Sequence, residues 1–131
     1  MNISDEKRSS LFNFLDELSE LDRHALEMRF SEDLVNSVRL IFCELIGNEG
    51  FPDSLTAAQF PELIFKLREI KRAWSRELGN AIIFAAENVD NGHVQIAIDI
   101  LKNFQEVCPS PFYNGIAQVQ IDRYKIQENE F

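Results

Sequence analysis

Two histidines and two cysteines are the side chains best suited to acid–base or nucleophilic chemistry. Their spacing argues against either kind of chemistry. His24 and His93 stand far apart, and neither Cys43 nor Cys108 lies in a nucleophile motif or in the Cys/His spacing of a zinc site. No glycine-rich phosphate loop follows a strand pattern. The sequence therefore predicts no enzyme, no catalytic residue, no metal and no cofactor. An enzyme that uses one histidine as its acid–base group is the alternative hypothesis.

The sequence also argues against a carboxylate metal site of the helical-bundle type. Glu17 and Glu20 share one helix face, since three positions separate them. A di-metal bundle site needs a Glu three positions before a His on each of two helices. Neither histidine has such a Glu. We therefore interpret this pair of carboxylates as solvated surface.

A dense run of carboxylates in the first third of the chain is the more informative feature, and Arg23 and Arg29 are the only Lys or Arg residues within it. We call it the acidic run; its members are Asp16, Glu17, Glu20, Asp22, Glu27, Glu32 and Asp33. Its ordinary interpretation is a solvated face with helix-capping acids. Its functional interpretation is a surface that docks on a basic protein. Glu49 and Asp53 extend it, and Phe51 between them would supply an apolar anchor.

The charge balance supports a basic protein as partner. The formal charge of the 131-residue chain is −9, and residues 1–60 carry 5 Lys and Arg against 12 Asp and Glu. Nucleic-acid binding depends on cations that neutralise phosphates, so this balance argues against it. An acidic field instead attracts a basic protein and accelerates its association. We expect no nucleic-acid, membrane or small-molecule partner.

One basic stretch interrupts the acidic chain. Its members are Lys66, Arg68, Lys71, Arg72 and Arg76. Arg68, Arg72 and Arg76 follow one another at intervals of four and share a helix face. We interpret the stretch as structural, meeting the acidic first helices inside the fold. Recognition of nucleic acid is the alternative.

The hydrophobic pattern predicts an all-α protein of about six to eight helices, packed as consecutive antiparallel hairpins. Apolar residues make up 45% of the chain, which is typical of a globular protein. We predict a single domain over 1–131. It comprises acidic helices over 1–46, a loop over 47–55 and helical hairpins over 56–126.

Helix boundaries are marked by capping residues. Ser4, Asp22, Ser31 and Ser110 each precede an apolar-periodic segment, and Gly47 is placed to end a helix. Such signals depend only on near neighbours in the chain. They therefore predict where helices begin and end before any packing is known.

A long helical pattern follows the loop. Thr56 and Gln59 have the spacing of a capping box, and the helix is expected to begin near Pro61. Gly79–Asn80 is placed to kink or divide it. Residues 81–89 are apolar on most sides, so we predict that they are central and buried.

The last segment, 112–126, fits two patterns. One helical face consists of Phe112, Ile116 and Val119, and another of Tyr113, Ala117 and Tyr124. The alternation of Ala117, Val119 and Ile121 with polar residues instead suggests a strand. Helix is favoured, because a lone strand has no partner to pair with. Residues 127–131 are expected to be a frayed tail.

The location is expected to be the cytoplasm. Residues 1–10 are polar and lack the apolar core of a signal peptide, and no apolar run is long enough to span a bilayer. Both cysteines sit in apolar helical patterns and are predicted to be buried, reduced thiols.

Several local motifs follow one another between residues 74 and 124. They are Trp74, Glu77-Leu78, the Asn91-Gly92 turn, the Ala97, Leu101 and Phe104 face, the Cys108-Pro109-Ser110-Pro111-Phe112-Tyr113 run and Ile116-Ala117. Over this stretch the sequence resembles the C-terminal part of small acidic immunity proteins of bacterial contact-dependent growth inhibition systems.

The resemblance implies a cytoplasmic protein that binds a cognate basic toxin domain, a nuclease, and blocks it by occluding its active site. It transfers no binding residue, so the acidic run is an inference from charge alone. The alternative function is a helical-hairpin adaptor or secretion chaperone similar to tetratricopeptide-like domains.

Overall fold

The computed structural model describes residues 4–129 and forms six α-helices over that range. They are α1 (Asp5–Ser19), α2 (Arg23–Arg29), α3 (Glu32–Leu45), α4 (Phe60–Asp90), α5 (Val94–Val107) and α6 (Pro111–Asn129). The described residues contain no strand, so the all-α prediction is confirmed.

Four predicted caps begin their helices as expected. The side chains of Ser4, Asp22, Ser31 and Ser110 each accept a hydrogen bond from the backbone N–H three residues later, at 2.8 to 3.5 Å. Each bond satisfies one of the N–H groups that a helix start leaves unpaired. Gly47 follows α3 with a φ of +133°, a backbone conformation that favours glycine.

The segment before α4 contains the predicted capping box. Thr56 Oγ1 accepts from the N–H of Gln59, and Gln59 Oε1 accepts from the N–H of Thr56. The helix begins at Phe60, one residue before Pro61, and runs for 31 residues without a break at Gly79–Asn80. The prediction that this pair divides the helix is therefore wrong.

The chain forms two compact units whose boundary falls within α4. The first unit ends at Lys71 and the second begins at Arg72. The continuous backbone of α4 contributes residues to both. A single domain over 1–131 stays a prediction.

The first unit is built from α1, α2, α3 and the first part of α4. Its buried apolar side chains are Leu11, Phe12, Leu15, Leu18, Leu26, Val38, Ile41, Phe42, Leu45, Phe60, Leu63, Ile64 and Leu67. Glu44 is also buried, among the apolar residues of α3, and Arg8 Nε of α1 donates to its carboxylate at 2.9 Å. The pair joins α1 to α3 and satisfies a carboxylate that would otherwise be costly to bury.

The second unit packs α5 against α6 and both against the later part of α4. Its buried apolar side chains are Leu78, Ala85, Ala97, Ile98, Leu101, Phe104, Cys108, Tyr113, Ala117 and Ile121. The rings of Trp74 on α4 and Phe104 on α5 pack edge to face, with 6.1 Å between their centroids. The hydroxyl oxygens of Ser75 and Tyr113 lie 2.8 Å apart. The turn between α4 and α5 uses Gly92 at a φ of +82°.

Residues 81–89 are not the buried centre that their composition predicts. Ile83 and Phe84 are 57% and 56% exposed, whereas Ala85 is buried. The prediction is wrong because α5 and α6 cover only one side of α4 within the second unit. A helical segment with apolar residues on every face is buried only on the faces against which other helices pack.

Helix α6 buries one of its two apolar faces. Tyr113, Ala117 and Ile121 are buried, and Val119 is 56% exposed. The strand interpretation of 112–126 is therefore wrong, since a strand would place residues 117, 119 and 121 on one face. The frayed tail is also wrong for 127–129, which continue the helix, and residues 130–131 lie outside the described range.

The Arg8–Glu44 pair predicts an asymmetric mutational response. Arg8→Met should lower the free energy of unfolding by about 2 kcal/mol, because it leaves a buried carboxylate unpaired. The double variant Arg8→Met/Glu44→Leu should regain most of that loss. Urea unfolding followed by far-UV circular dichroism measures both.

A matched control is the ion pair between Arg23 and Glu62, whose side chains are 53% and 65% exposed. Arg23→Met should change stability by less than about 0.5 kcal/mol. Equal losses in Arg8→Met and Arg23→Met would contradict the burial argument.

The orientation of α6 gives a second stability prediction. Ile121→Ala should cost about 2–4 kcal/mol, because it opens a cavity at a fully buried position. Val119→Ala on the same helix should cost less than about 0.5 kcal/mol. Thermal or urea unfolding compares the two, and the reverse order would show that the other face is buried.

Candidate partner-binding surface

The first three helices position the acidic run in the first unit. Asp16 and Glu17 lie in the later part of α1, Glu20 and Asp22 in the turn after it. Glu27 lies on α2, and Glu32 and Asp33 form the first turn of α3. All seven side chains are exposed except Glu27, which is partly exposed. The acidic run therefore faces water.

Part of the acidic run also has structural roles. Both carboxylate oxygens of Asp16 accept from Lys71 Nζ, at 2.9 and 2.8 Å. Asp22 caps α2, and the acids of the first turn of α3 stabilise its dipole.

Glu17, Glu20 and Glu27 differ from these acids. Within residues 4–129, no side-chain ion pair or capping hydrogen bond engages them, and none of them lies in the first turn of a helix, so no contact among the described residues of the first unit uses their charge. Glu17 lies on α1, Glu20 in the turn after it and Glu27 on α2.

The loop between α3 and α4 contributes the three further predicted residues. Glu49 and Asp53 are exposed. The ring of Phe51 instead meets Phe42 edge to face at 5.3 Å, and the guanidinium of Arg39 lies 4.7 Å from its centre. Phe51 therefore holds the loop against α3 and offers a partner only part of its ring.

The basic stretch meets the acidic helix α1, as predicted, through two of its members. Lys71 pairs with Asp16, and Arg68 donates through Nη1 to the carbonyl oxygen of Ser19 at the end of α1, at 3.3 Å. These contacts explain why cations occur in this part of an acidic chain. Lys66 and Arg76 are exposed.

The residues with catalytic potential are dispersed over the two units. His24 is exposed on α2 in the first unit, and His93 is exposed at the start of α5 in the second. Between residues 4 and 129, no three side chains of the His, Cys, Asp or Glu types are grouped so that they would hold a metal ion.

The two thiols have different surroundings. Both are free, and Cys108 is buried, while Cys43 is partly exposed. The prediction of a buried thiol is thus confirmed for Cys108 only. Burial raises the pKa of the Cys108 thiol, and a hydrogen bond with the Ser110 backbone offsets part of that rise.

Sequence reasoning gave no role to a set of exposed apolar residues in the second unit. Ile96, Val107, Val119 and Ile126 are between 48% and 73% exposed. The signal was present in the sequence, because α6 carries two apolar faces and a helix of a three-helix unit buries only one. The pattern alone does not indicate which of the two faces stays open.

None of the helices in the described part of the chain is both long and apolar enough to cross a bilayer. Comparison with protein families, curated proteins and solved structures gives no match to the chain. The resemblance to immunity proteins therefore stays a prediction.

The burial of Cys108 predicts slow alkylation of its thiol in the folded protein. With iodoacetamide, Cys108 of the folded protein should react at least about tenfold more slowly than in urea, because the reactive thiolate is disfavoured and the sulfur is covered. The raised pKa should keep it slow as pH rises through the range where a free thiol ionises. Peptide mass spectrometry reports each site, and a Cys43→Ser variant isolates Cys108. Equal rates with and without urea would contradict its burial.

Proposed function

We propose that this protein is an immunity protein that binds a basic toxin domain, a nuclease, through the acidic run and occludes its active site. The observation that carries the proposal is that Glu17 and Glu20 are exposed and Glu27 is partly exposed, without ion pairs in the described part of the chain. The resemblance over residues 74–124 supplies the class of partner.

The physical reason is competition for a cationic surface. A nuclease must attract phosphates, so its active site is lined by cations. An acidic surface is attracted to the same cations and excludes the nucleic acid that they bind. Opposite charge also accelerates encounter, which suits an inhibitor that must act before its toxin does.

The capped helices contribute preorganisation. Asp22 and Ser31 fix the starts of α2 and α3, so the backbone under the acidic run is ordered before a partner arrives. Binding then loses less conformational entropy than it would if a disordered acidic segment had to fold.

A helical-hairpin adaptor or secretion chaperone is the second candidate function. It is favoured by an open cleft of about 740 Å³ in the second unit, which includes Val89, Val94 and Ile96 in its wall. Such a cleft suits an apolar side chain of a bound peptide. Rescue of the solubility of an exported protein would support this function.

Neutralisation is tested in cells. Affinity purification with mass spectrometry identifies the partner, and co-expression with that partner's toxic domain measures protection. Survival that requires this protein supports the proposal. Equal death with and without it would reject the proposal.

The acidic run is tested by charge reversal. Glu17→Lys/Glu20→Lys/Glu27→Lys should slow association with the partner by about tenfold at low salt, and by less at high salt, because screening removes the attraction. Stopped-flow association at two ionic strengths measures the effect.

The matched control places the same three reversals on exposed acids of the second unit, as Glu77→Lys/Glu87→Lys/Asp90→Lys. Both variants have the same net charge, so a difference between them isolates the acidic run from the overall field. Equal slowing in the two variants would show that the interface lies elsewhere.

A further inference from the structure

We infer that the cleft at the turn between α4 and α5 binds a peptide segment in which an apolar side chain stands next to a lysine or arginine. The inference rests on the second candidate function proposed above, because it names the ligand chemistry of the same cleft. It does not depend on the acidic run, which lies in the first unit.

Three segments of the second unit enclose the cleft. Val89 lies at the end of α4, residues 92–96 form the turn and the start of α5, and Gln127 and Glu128 lie near the end of α6. The volume of about 740 Å³ falls within the range of protein sites that hold a ligand. A Cβ atom at Gly92 would meet nothing within 4 Å, so the backbone of the turn borders open space.

Three aliphatic side chains form part of the wall. Ile96 is 48% exposed, and Val89 and Val94 are partly exposed. Because all three border one cleft, they differ from apolar residues that are scattered singly over a surface. An apolar side chain that enters the cleft therefore removes apolar surface of both molecules from water.

The charge at the cleft is negative. With His93 neutral, Glu128 carries the only formal charge among the described lining residues, and Asp90 follows Val89 at the end of α4. No ion pair within residues 4–129 joins either carboxylate to a cation. The negative end of α4 and the positive end of α5 meet at the turn, so their dipoles offset each other. A cation beside the apolar side chain is therefore favoured over a carboxylate.

The start of α5 suits the backbone of a peptide. The first N–H groups of a helix have no acceptor within that helix, and His93, the N-cap of α5, makes no side-chain capping hydrogen bond to them. A peptide carbonyl is such an acceptor, whereas an alkylammonium ion offers none. This difference favours a peptide segment over a small amphipathic cation.

Titration of the full chain, followed by amide NMR spectra, tests the ligand class and locates it. The probe is the blocked peptide acetyl-Leu-Lys-Leu-Lys-amide. Its controls are acetyl-Ser-Lys-Ser-Lys-amide, acetyl-Leu-Glu-Leu-Glu-amide and hexylammonium. The Leu-Lys peptide should shift the amide signals of residues 89–96 and 127–128, and it should bind at least about fivefold more tightly than each control.

Two kinds of result would overturn the inference. Equal affinity for any of the three controls would overturn the assigned ligand chemistry. Signal shifts confined to other residues, or no binding at millimolar peptide, would overturn the site.

Two substitutions in the cleft separate its apolar and charged contributions. Ile96→Ser should raise the Kd of the Leu-Lys peptide about fivefold at low and at high salt. Glu128→Gln should raise it about threefold at low salt and by less at high salt. Circular dichroism should be unchanged, because both side chains are exposed.

The matched controls are Val119→Ser and Glu106→Gln, since both residues are exposed and neither lines the cleft. Each should change the Kd by less than about twofold. Control variants that weaken binding as much as the cleft variants would show that the peptide binds elsewhere.

The outcome is separable from the proposed functions. The Glu17→Lys/Glu20→Lys/Glu27→Lys variant should bind the peptide at high salt as the wild type does, because its changes lie in the first unit. Loss of binding in this variant would place the peptide on the acidic run and overturn the inference, while the immunity function would stand. Binding in the cleft without rescue of an exported protein would support the site and reject the adaptor function.

Discussion

Burial of the apolar stripe of α4 is the interaction on which both units depend. Its first part supplies Phe60, Ile64 and Leu67 to the core of the first unit, and its later part supplies Leu78 and Ala85 to the second. Each unit alone has few helices, and small cores leave little margin of stability. A continuous helix that contributes to both spares each unit a helix end and its unpaired backbone groups. The helix is unbroken at Lys71 and Arg72, where one unit ends and the other begins along the chain.

Some of the charged side chains of the first unit contribute to its packing. The Arg8–Glu44 pair lets α3 place a carboxylate among buried side chains, and Lys71 and Arg68 attach α4 to α1. An acidic surface needs such cations nearby, because like charges crowded on one unit repel each other. The acids that these contacts do not use are the ones on which the proposed function depends.

The proposed acidic surface relies on long-range attraction. Such attraction sets the association rate with a basic partner and weakens with salt. It differs in this from the apolar burial that stabilises each unit, which is short-ranged and nearly indifferent to salt.

Features that depend on residues three or four positions apart could be predicted from the sequence alone. The helix class and the caps at Ser4 and Ser110 follow from local spacing. The sequence did not predict which of its two apolar faces α6 buries or that Phe84 is exposed, because burial depends on neighbours that are distant in the chain. The contacts of Asp16 with a lysine 55 positions away and of Phe51 with α3 also join residues that are distant or irregularly spaced in the chain. Charge and composition therefore predicted the candidate surface, and only the packing shows which of its residues remain exposed.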